Sequence, residues 1–236
     1  MQTLRKGLAT ADLLAIAAEH GDELEPKVRR ALTWVLARRE PADALETEGM
    51  RACLRSMAAH HDAAARIEAV RALRDPDASS AARSLLGEVG VALAADEDAG
   101  VRRAVVLELL GPAVAELRFG HDGGLMEWVS VPELAAVLLG LCGRGLEGVP
   151  ETVVVVATVV QAAGPLADLG VLDDVVVQIA RQPESGLPLA THLAQLREWI
   201  SPGCATTLEH LLERHPDPFV REVAEAQADR SEGGLA

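Results

Sequence analysis

The chain has 236 residues, of which 49% are hydrophobic, but its aromatic residues are only three Trp and two Phe, so alanine, valine and leucine must build its core. Its 22 basic against 36 acidic residues give a net charge of −14, and a surface of this sign repels nucleic-acid phosphates. Three widely spaced cysteines suit free thiols in a reducing cytoplasm. The longest apolar run is shorter than the ~20 residues that cross a membrane. These features predict a cytoplasmic protein that binds neither nucleic acid nor membrane.

The acidic charge is concentrated in the second half of the chain. Residues 1–118 carry 16 basic and 19 acidic side chains, whereas residues 119–236 carry 6 and 17. Charge of one sign attracts partners of the other sign. The favoured partner is therefore another protein or a peptide, and a basic one.

Apolar residues at helical spacing predict twelve helices over most of the chain. In order they cover residues 11–20, 26–38, 48–60, 63–74, 80–94, 99–110, 132–142, 150–163, 171–182, 188–199, 203–214 and 218–228. Residues 152–160 are rich in β-branched side chains, which favour a strand. Pro150 and Gly164 bracket them like a helix start and stop, so we predict a helix there. We expect one domain over 1–228, an insertion at about 111–130 and a disordered tail at 229–236.

A short motif recurs at four places in the chain. An acid is followed three positions later by a small apolar residue, then directly by an arginine, and apolar residues return four and eight positions after the first one. The copies begin at Glu25, Asp62, Asp98 and Asp217, and the first three are 37 and 36 residues apart. An acid at a helix start can accept hydrogen bonds from free backbone N–H groups and favours the positive end of the helix dipole.

This motif resembles the HEAT-like repeat family, in which the second helix of each pair opens with Asp, an optional Pro, and Val-Arg. The resemblance implies an all-α fold, an α-solenoid of about six antiparallel helix pairs in a right-handed superhelix. It also implies that the motif arginine reaches an acid of the neighbouring repeat. Solenoids of stacked helix pairs generally bind partners on an extended concave surface.

Two groups of residues are candidate partner-binding sites. The first is a stripe on the second predicted helix, Lys27, Arg30, Trp34 and Arg38, which can receive an acidic segment of a partner or of a second copy, with an arginine stacked on Trp34. The alternative, without a binding role, is a solvated face with Trp34 packed against a neighbouring helix.

The second candidate is the insertion, where His121 and Asp122 lie beside glycines and Trp128 can anchor a partner. The alternative there is a plain connector whose Trp128 fills a gap between helix pairs.

No catalytic, metal or cofactor motif is present in the sequence. Cys53 and His60 lie about 10.5 Å apart along a helix, too far for a nucleophile and its base. We therefore predict a non-enzymatic protein–protein interaction scaffold or adaptor without a cofactor. The alternatives are a regulatory or assembly subunit of an enzyme, and a HEAT-like enzyme similar to the alkylpurine DNA glycosylases or the bilin lyases. A concave face that clusters arginine with tryptophan would favour nucleic acid, and an acidic or apolar groove would favour a protein.

Overall fold

The computed structural model describes residues 8–21, 23–119, 124–144 and 170–233, and these are helical apart from turns, with no β-strand among them. The all-α prediction is confirmed for this part of the chain. The helix predicted at 150–163, including the β-branched stretch 152–160, lies outside the described residues. None of the described helices is both long enough and apolar enough to cross a membrane.

The first seven helices lie close to the predicted ranges. They are α1 (Thr10–His20), α2 (Pro26–Ala37), α3 (Ala44–Ala58), α4 (Ala63–Arg74), α5 (Ser80–Arg83), α6 (Leu86–Ala94) and α7 (Ala99–Val105). The single helix predicted at 80–94 is divided in two, with a turn at Ser84 and Leu85. Helix α3 begins four residues earlier than predicted because Asp43 caps it, accepting a hydrogen bond from the backbone N–H of Glu46.

Residues 106–119 continue helix α7 where the sequence predicted the start of an insertion. A π-helical turn (Val106–Leu110) leads into α8 (Gly111–Phe119). Pro112 follows this turn, and a proline ring cannot lie against the carbonyl group four residues before it in regular α-geometry. The wider π turn accommodates the proline, so the helix does not end at Leu110.

The remaining described helices complete the chain. They are α9 (Val131–Gly143), α10 (Leu172–Ala180), α11 (Gly186–Thr191), α12 (Leu193–Leu196), α13 (Pro202–Glu213) and α14 (Pro218–Gly233). A single 3₁₀ turn (Pro183–Ser185) precedes α11. Helix α14 continues to Gly233, so most of the tail that the sequence predicts to be disordered, 229–236, is helical.

The helices pack in two rows. One row contains α1, α3, α6, α9, α10 and α13, each in contact with the next; in the other row α2 contacts α4, α4 contacts α7, and α11 and α12 contact α14. Packing is closest between α6 and α9, and α7 lies against α6 as well. A methyl group at Gly140 of α9 would lie 3.1 Å from Cβ of Ala94, and one at Gly90 would lie 2.6 Å from Cδ1 of Leu109. A side chain at either glycine would thus force its neighbour to move, the Leu109 side chain at Gly90 and the start of the turn after α6 at Gly140.

The four motif copies share one local structure. The carboxylates of Asp62, Asp98 and Asp217 each accept a hydrogen bond from a backbone N–H in the first turn of the helix that follows. Glu25 makes no such cap. The predicted capping is thus confirmed in three copies out of four.

The motif arginines tie each helix to the loop before it. Nη1 of Arg66, Arg102 and Arg221 donates in each case to the carbonyl groups five and six residues earlier. Arg29 donates to carbonyl groups of its own preceding loop, and its Nη1 also lies 3.6 Å from Asp62 Oδ2 in the next copy. The expected reach of a motif arginine to an acid of the neighbouring repeat is present at Arg29, and at Arg66, which binds Asp96.

The buried stripe of α2 is displaced from the predicted one. The motif spacing puts Val28 and Leu32, four residues apart, on one face of the helix and so predicts that both are buried, but Val28 is 44% exposed whereas Leu32 is 7% exposed. The equivalent residue Val101 of the third copy is fully buried. Val28 belongs to the first motif copy, and no earlier described helix of the second row lies beside it to cover it.

Candidate functional site

The predicted stripe on α2 lies against two carboxylates. Glu68 is within α4, and Asp75 follows the C-terminal end of α4. Nε1 of Trp34 donates a 2.9 Å hydrogen bond to Oε2 of Glu68, and Nε of Arg30 lies 3.0 Å from the same oxygen. Arg38 donates two hydrogen bonds, of 3.1 Å and 2.7 Å, to Asp75. Its Cζ lies 5.1 Å from the centre of the Trp34 ring, so the predicted stacking of an arginine on Trp34 is confirmed. Hydrogen bonding from Arg38 lowers the pKa of Asp75 below its ordinary value.

These contacts continue across α4 to the π turn after α7. Nη1 of Arg71 lies 3.1 Å from Oε1 of Glu68, and its Nε lies 3.4 Å from Oε1 of Glu108. One chain of alternating charges thus connects three helices of the second row. Lys27, the remaining residue of the predicted stripe, is exposed one turn before Arg30 on α2. We call the cations Lys27, Arg30, Arg38 and Arg71 the arginine face.

The cations of this face are more exposed than the acids that bind them. The side chain of Arg30 is 61% exposed and that of Arg71 45%, whereas that of Glu68, which both contact, is 11% exposed. Arg38 is 30% exposed and Asp75 only 9%. Glu108, the other acid that contacts Arg71, is 32% exposed. The carboxylates are therefore less exposed than the guanidinium groups, so the most exposed charges of the face are positive. This local charge has the opposite sign to the net charge of the chain.

The acids and the arginine on α4 were not predicted, although the sequence contains a signal for them. Arg38 and Asp75 are 37 residues apart, and so are Arg71 and Glu108. This separation equals the spacing of the first two motif copies, so opposite charges one repeat apart would have identified both pairs. Glu68 does not follow that spacing, since its partners Arg30, Trp34 and Arg71 are 38, 34 and 3 residues from it.

The second predicted group is only partly described. His121 and Asp122 lie outside the described residues. Trp128 follows α8 in a turn whose neighbours Leu125 and Val129 are buried, and it is half-buried itself. Its Nε1 is buried and has no hydrogen-bond partner among the described residues. This environment resembles the connector alternative more than a free aromatic anchor.

A groove of about 670 Å³ separates the C-terminal halves of α3 and α6. The two helices touch only sparsely, and α5 also lies against α3. Small residues, among them Ala58 and the exposed Ala92, are part of the lining. At its edge Arg55 makes hydrogen bonds of 2.8 Å and 2.9 Å to the carboxylate of Glu88, which lower the pKa of Glu88. The charges of Arg55 and Glu88 are thus paired with each other.

Two histidines, His60 and His215, make hydrogen bonds within the loops before motif helices, and the thiols of Cys53 and Cys142 are withdrawn from solvent. Nδ1 of His60 accepts a 2.9 Å hydrogen bond from the backbone N–H of Asp62, as Nδ1 of His215 does from Asp217 in the last copy. Burial raises the pKa of Cys53 to about 11 and that of Cys142 to about 12, so neither thiol is a ready nucleophile at neutral pH. Within the described ranges no group of three or more His, Cys, Asp or Glu could hold a metal ion.

No protein-family model matches the chain, and neither a curated protein nor a solved structure is significantly similar to it. The resemblance to HEAT-like repeats consequently depends on the motif residues and their contacts alone. The function must be inferred from the surfaces described above.

Proposed function

We propose that this protein is a non-enzymatic protein–protein interaction scaffold, built as a HEAT-like α-solenoid of about six helix pairs. The two rows of helices and the repeated capping contacts of the motif copies support this architecture. Such an array offers a continuous surface along one row of helices. The binding surface is the arginine face on the second row.

One observation carries the proposal, the exposure of each arginine above a more buried carboxylate. Glu68 receives Arg30, Trp34 and Arg71, so these side chains are held in place before any partner arrives. A partner then loses less free energy to the ordering of flexible side chains. Aromatic residues and arginines held in this manner are the residue types that dominate the binding energy of protein interfaces.

The cluster of arginine with tryptophan is also what a nucleic-acid binder would show, so that alternative needs its own argument. The Nε1 of Trp34 is bound to Glu68, Arg38 covers one face of its ring, and the ring packs partly buried against the core, so little of it is free for a base to stack on. The acids beneath the face neutralise part of its charge, and the chain as a whole carries −14. A long polyanion that extends beyond the face meets this negative charge. A protein partner, which can be confined to the face, fits better.

A comparative pull-down tests the proposal. Three baits are immobilised: wild type, the face variant Arg30→Gln/Arg71→Gln and the control variant Arg181→Gln/Arg214→Gln. Each bait is incubated with cross-linked lysate of the cells that make the protein. The two variants lose the same charge, and Arg181 and Arg214 are exposed at helix ends away from the arginine face.

We expect proteins that wild type and control recover equally and that the face variant recovers at a fraction of that level, as quantified by mass spectrometry. Recovery of the same proteins by all three baits would refute a binding role of this face. Absence of any protein enriched over empty beads would refute the scaffold function itself.

A further inference from the structure

We propose that the arginine face binds an acidic peptide segment, with carboxylates of the segment bound by Arg30 and Arg71. This inference rests on the proposed scaffold function and specifies its partner. It also reverses the partner charge that net composition favours, because composition averages over the whole chain. Binding depends on the local surface, where the arginines are more exposed than the acids paired with them.

The geometry around Glu68 leaves both guanidinium groups more exposed than the carboxylates that they contact. Arg30 contacts Oε2 of Glu68 at 3.0 Å and Arg71 contacts Oε1 at 3.1 Å, so two guanidinium groups share this one buried carboxylate. Arg71 has a second, longer contact of 3.4 Å to Glu108. Arg30 has its closest contact through Nε, and its side chain is mostly exposed. N–H groups of both arginines therefore remain available to a ligand.

Positioned guanidinium groups select a specific ligand chemistry. A guanidinium is planar and presents paired N–H groups that match the two oxygens of a carboxylate. Each arginine here is oriented by Glu68, which Trp34 fixes in turn through a 2.9 Å hydrogen bond. Aspartate and glutamate side chains of an approaching segment thus find donors already aligned. An ammonium group of lysine would supply the charge without this alignment.

The size of the face limits its ligand to a short segment. The face covers neighbouring helices in the first half of the chain, where acidic and basic residues are nearly balanced, while the second half is strongly acidic. Charges farther apart than about 8 Å are largely screened at physiological salt. A short acidic peptide is therefore attracted by the nearby arginines without much repulsion from the distant acids. A long polyanion reaches those distant acids and is repelled by them.

Fluorescence anisotropy with an octaglutamate peptide labelled with fluorescein tests the inference. We expect saturable binding to wild type that weakens as salt is added, and about tenfold weaker binding to Arg30→Gln/Arg71→Gln. The charge-matched variant Arg181→Gln/Arg214→Gln should bind as wild type does. Arg30→Lys/Arg71→Lys keeps the charge but not the paired donors, and we expect an intermediate loss of about threefold. Circular dichroism confirms that each variant is folded, and the lysine variant decides the question if the glutamine variant is not.

Three results would overturn the inference. They are no binding of octaglutamate to wild type at 1 mM peptide, equal binding to wild type and to the face variants, and tighter binding of labelled octalysine or of a twenty-nucleotide oligothymidylate. If octaglutamate fails while the face variant still loses its partners in the pull-down, the acidic chemistry is wrong and the scaffold function stands. If both experiments fail, the proposed function fails with it.

Discussion

Replacement of Arg66 by alanine should be among the most destabilising single changes in the first half of the chain. Its guanidinium donates hydrogen bonds of 2.7 Å and 2.8 Å to the two oxygens of Asp96, and others of 2.7 Å and 2.9 Å to the carbonyl groups of His60 and His61. The side chains of Arg66 and Asp96 are each only 9% exposed. Arg66→Ala therefore leaves a nearly buried carboxylate without its counter-charge.

The expected loss follows from this burial. Removal of one partner from a buried ion pair costs about 3–5 kcal/mol, since the remaining charge is desolvated and unpaired. The lower part of that range applies here, because Asp96 keeps a 2.8 Å hydrogen bond from the backbone N–H of Asp98. Arg221 is the matched control. It occupies the same motif position and donates to two carbonyl groups of its loop, but it is exposed and no acid is paired with it in its surroundings as described. For Arg221→Ala we expect a loss below about 1 kcal/mol.

Urea unfolding followed by far-ultraviolet circular dichroism measures both losses. Equal changes in the unfolding free energy of Arg66→Ala and Arg221→Ala would refute the reasoning, because burial of the ion pair would then contribute nothing. The double variant Arg66→Ala/Asp96→Ala gives an internal check. It should be more stable than Arg66→Ala alone, since it no longer contains the unpaired acid.

Three further predictions concern other residues. Because Arg38 lowers the pKa of Asp75, that carboxylate stabilises the fold above its unfolded pKa of about 3.9, and the contribution is lost as pH falls below that value. The unfolding free energy of Asp75→Asn should therefore decrease less than that of wild type between pH 6 and pH 3. Identical decreases in urea titrations would contradict this. Val220, 2% exposed in α14, should not tolerate aspartate, and Val220→Asp should cost about 3 kcal/mol or more, so an unchanged melting temperature would exclude a core position. Burial that raises the pKa of Cys142 to about 12 should keep this thiol unreactive towards Ellman's reagent at pH 8 until urea unfolds the chain, and rapid labelling of native Cys142 would show that it is accessible.

The sequence predicted the helices best where a local chemical signal marks their ends. Helix α4 has the predicted bounds because Asp62 caps its start. The signal is weaker at residues 106–119, where a glycine and a proline suggest a break. There the π turn before Pro112 preserves the helix, and burial of Leu109 and Leu110 holds it in place. Tertiary packing of this kind has no counterpart in local sequence.

The sequence predicted only the residues of the candidate site that lie on α2. Helical periodicity placed Arg30, Trp34 and Arg38 on one face of α2, and the structure has them there. Periodicity within one helix says nothing about the helix that lies beside it. The acids Glu68 and Asp75 come from the next motif copy, and their role depends on how the two helices stack. Only the repeat spacing carries that information in the sequence.

Burial, and not composition, determines the sign of the arginine face. The stretch from Lys27 to Glu108 has enough acid to neutralise every arginine on it, so counting charges predicts no electrostatic preference. The stacking of α2 on α4 places Glu68 and Asp75 beneath the surface, where Trp34 and Arg38 satisfy their oxygens. The arginines that neutralise these acids are longer, and their apolar stems cross the surface so that the guanidinium groups reach water. An acidic protein can in this way present a positive surface to a partner without any excess of basic residues.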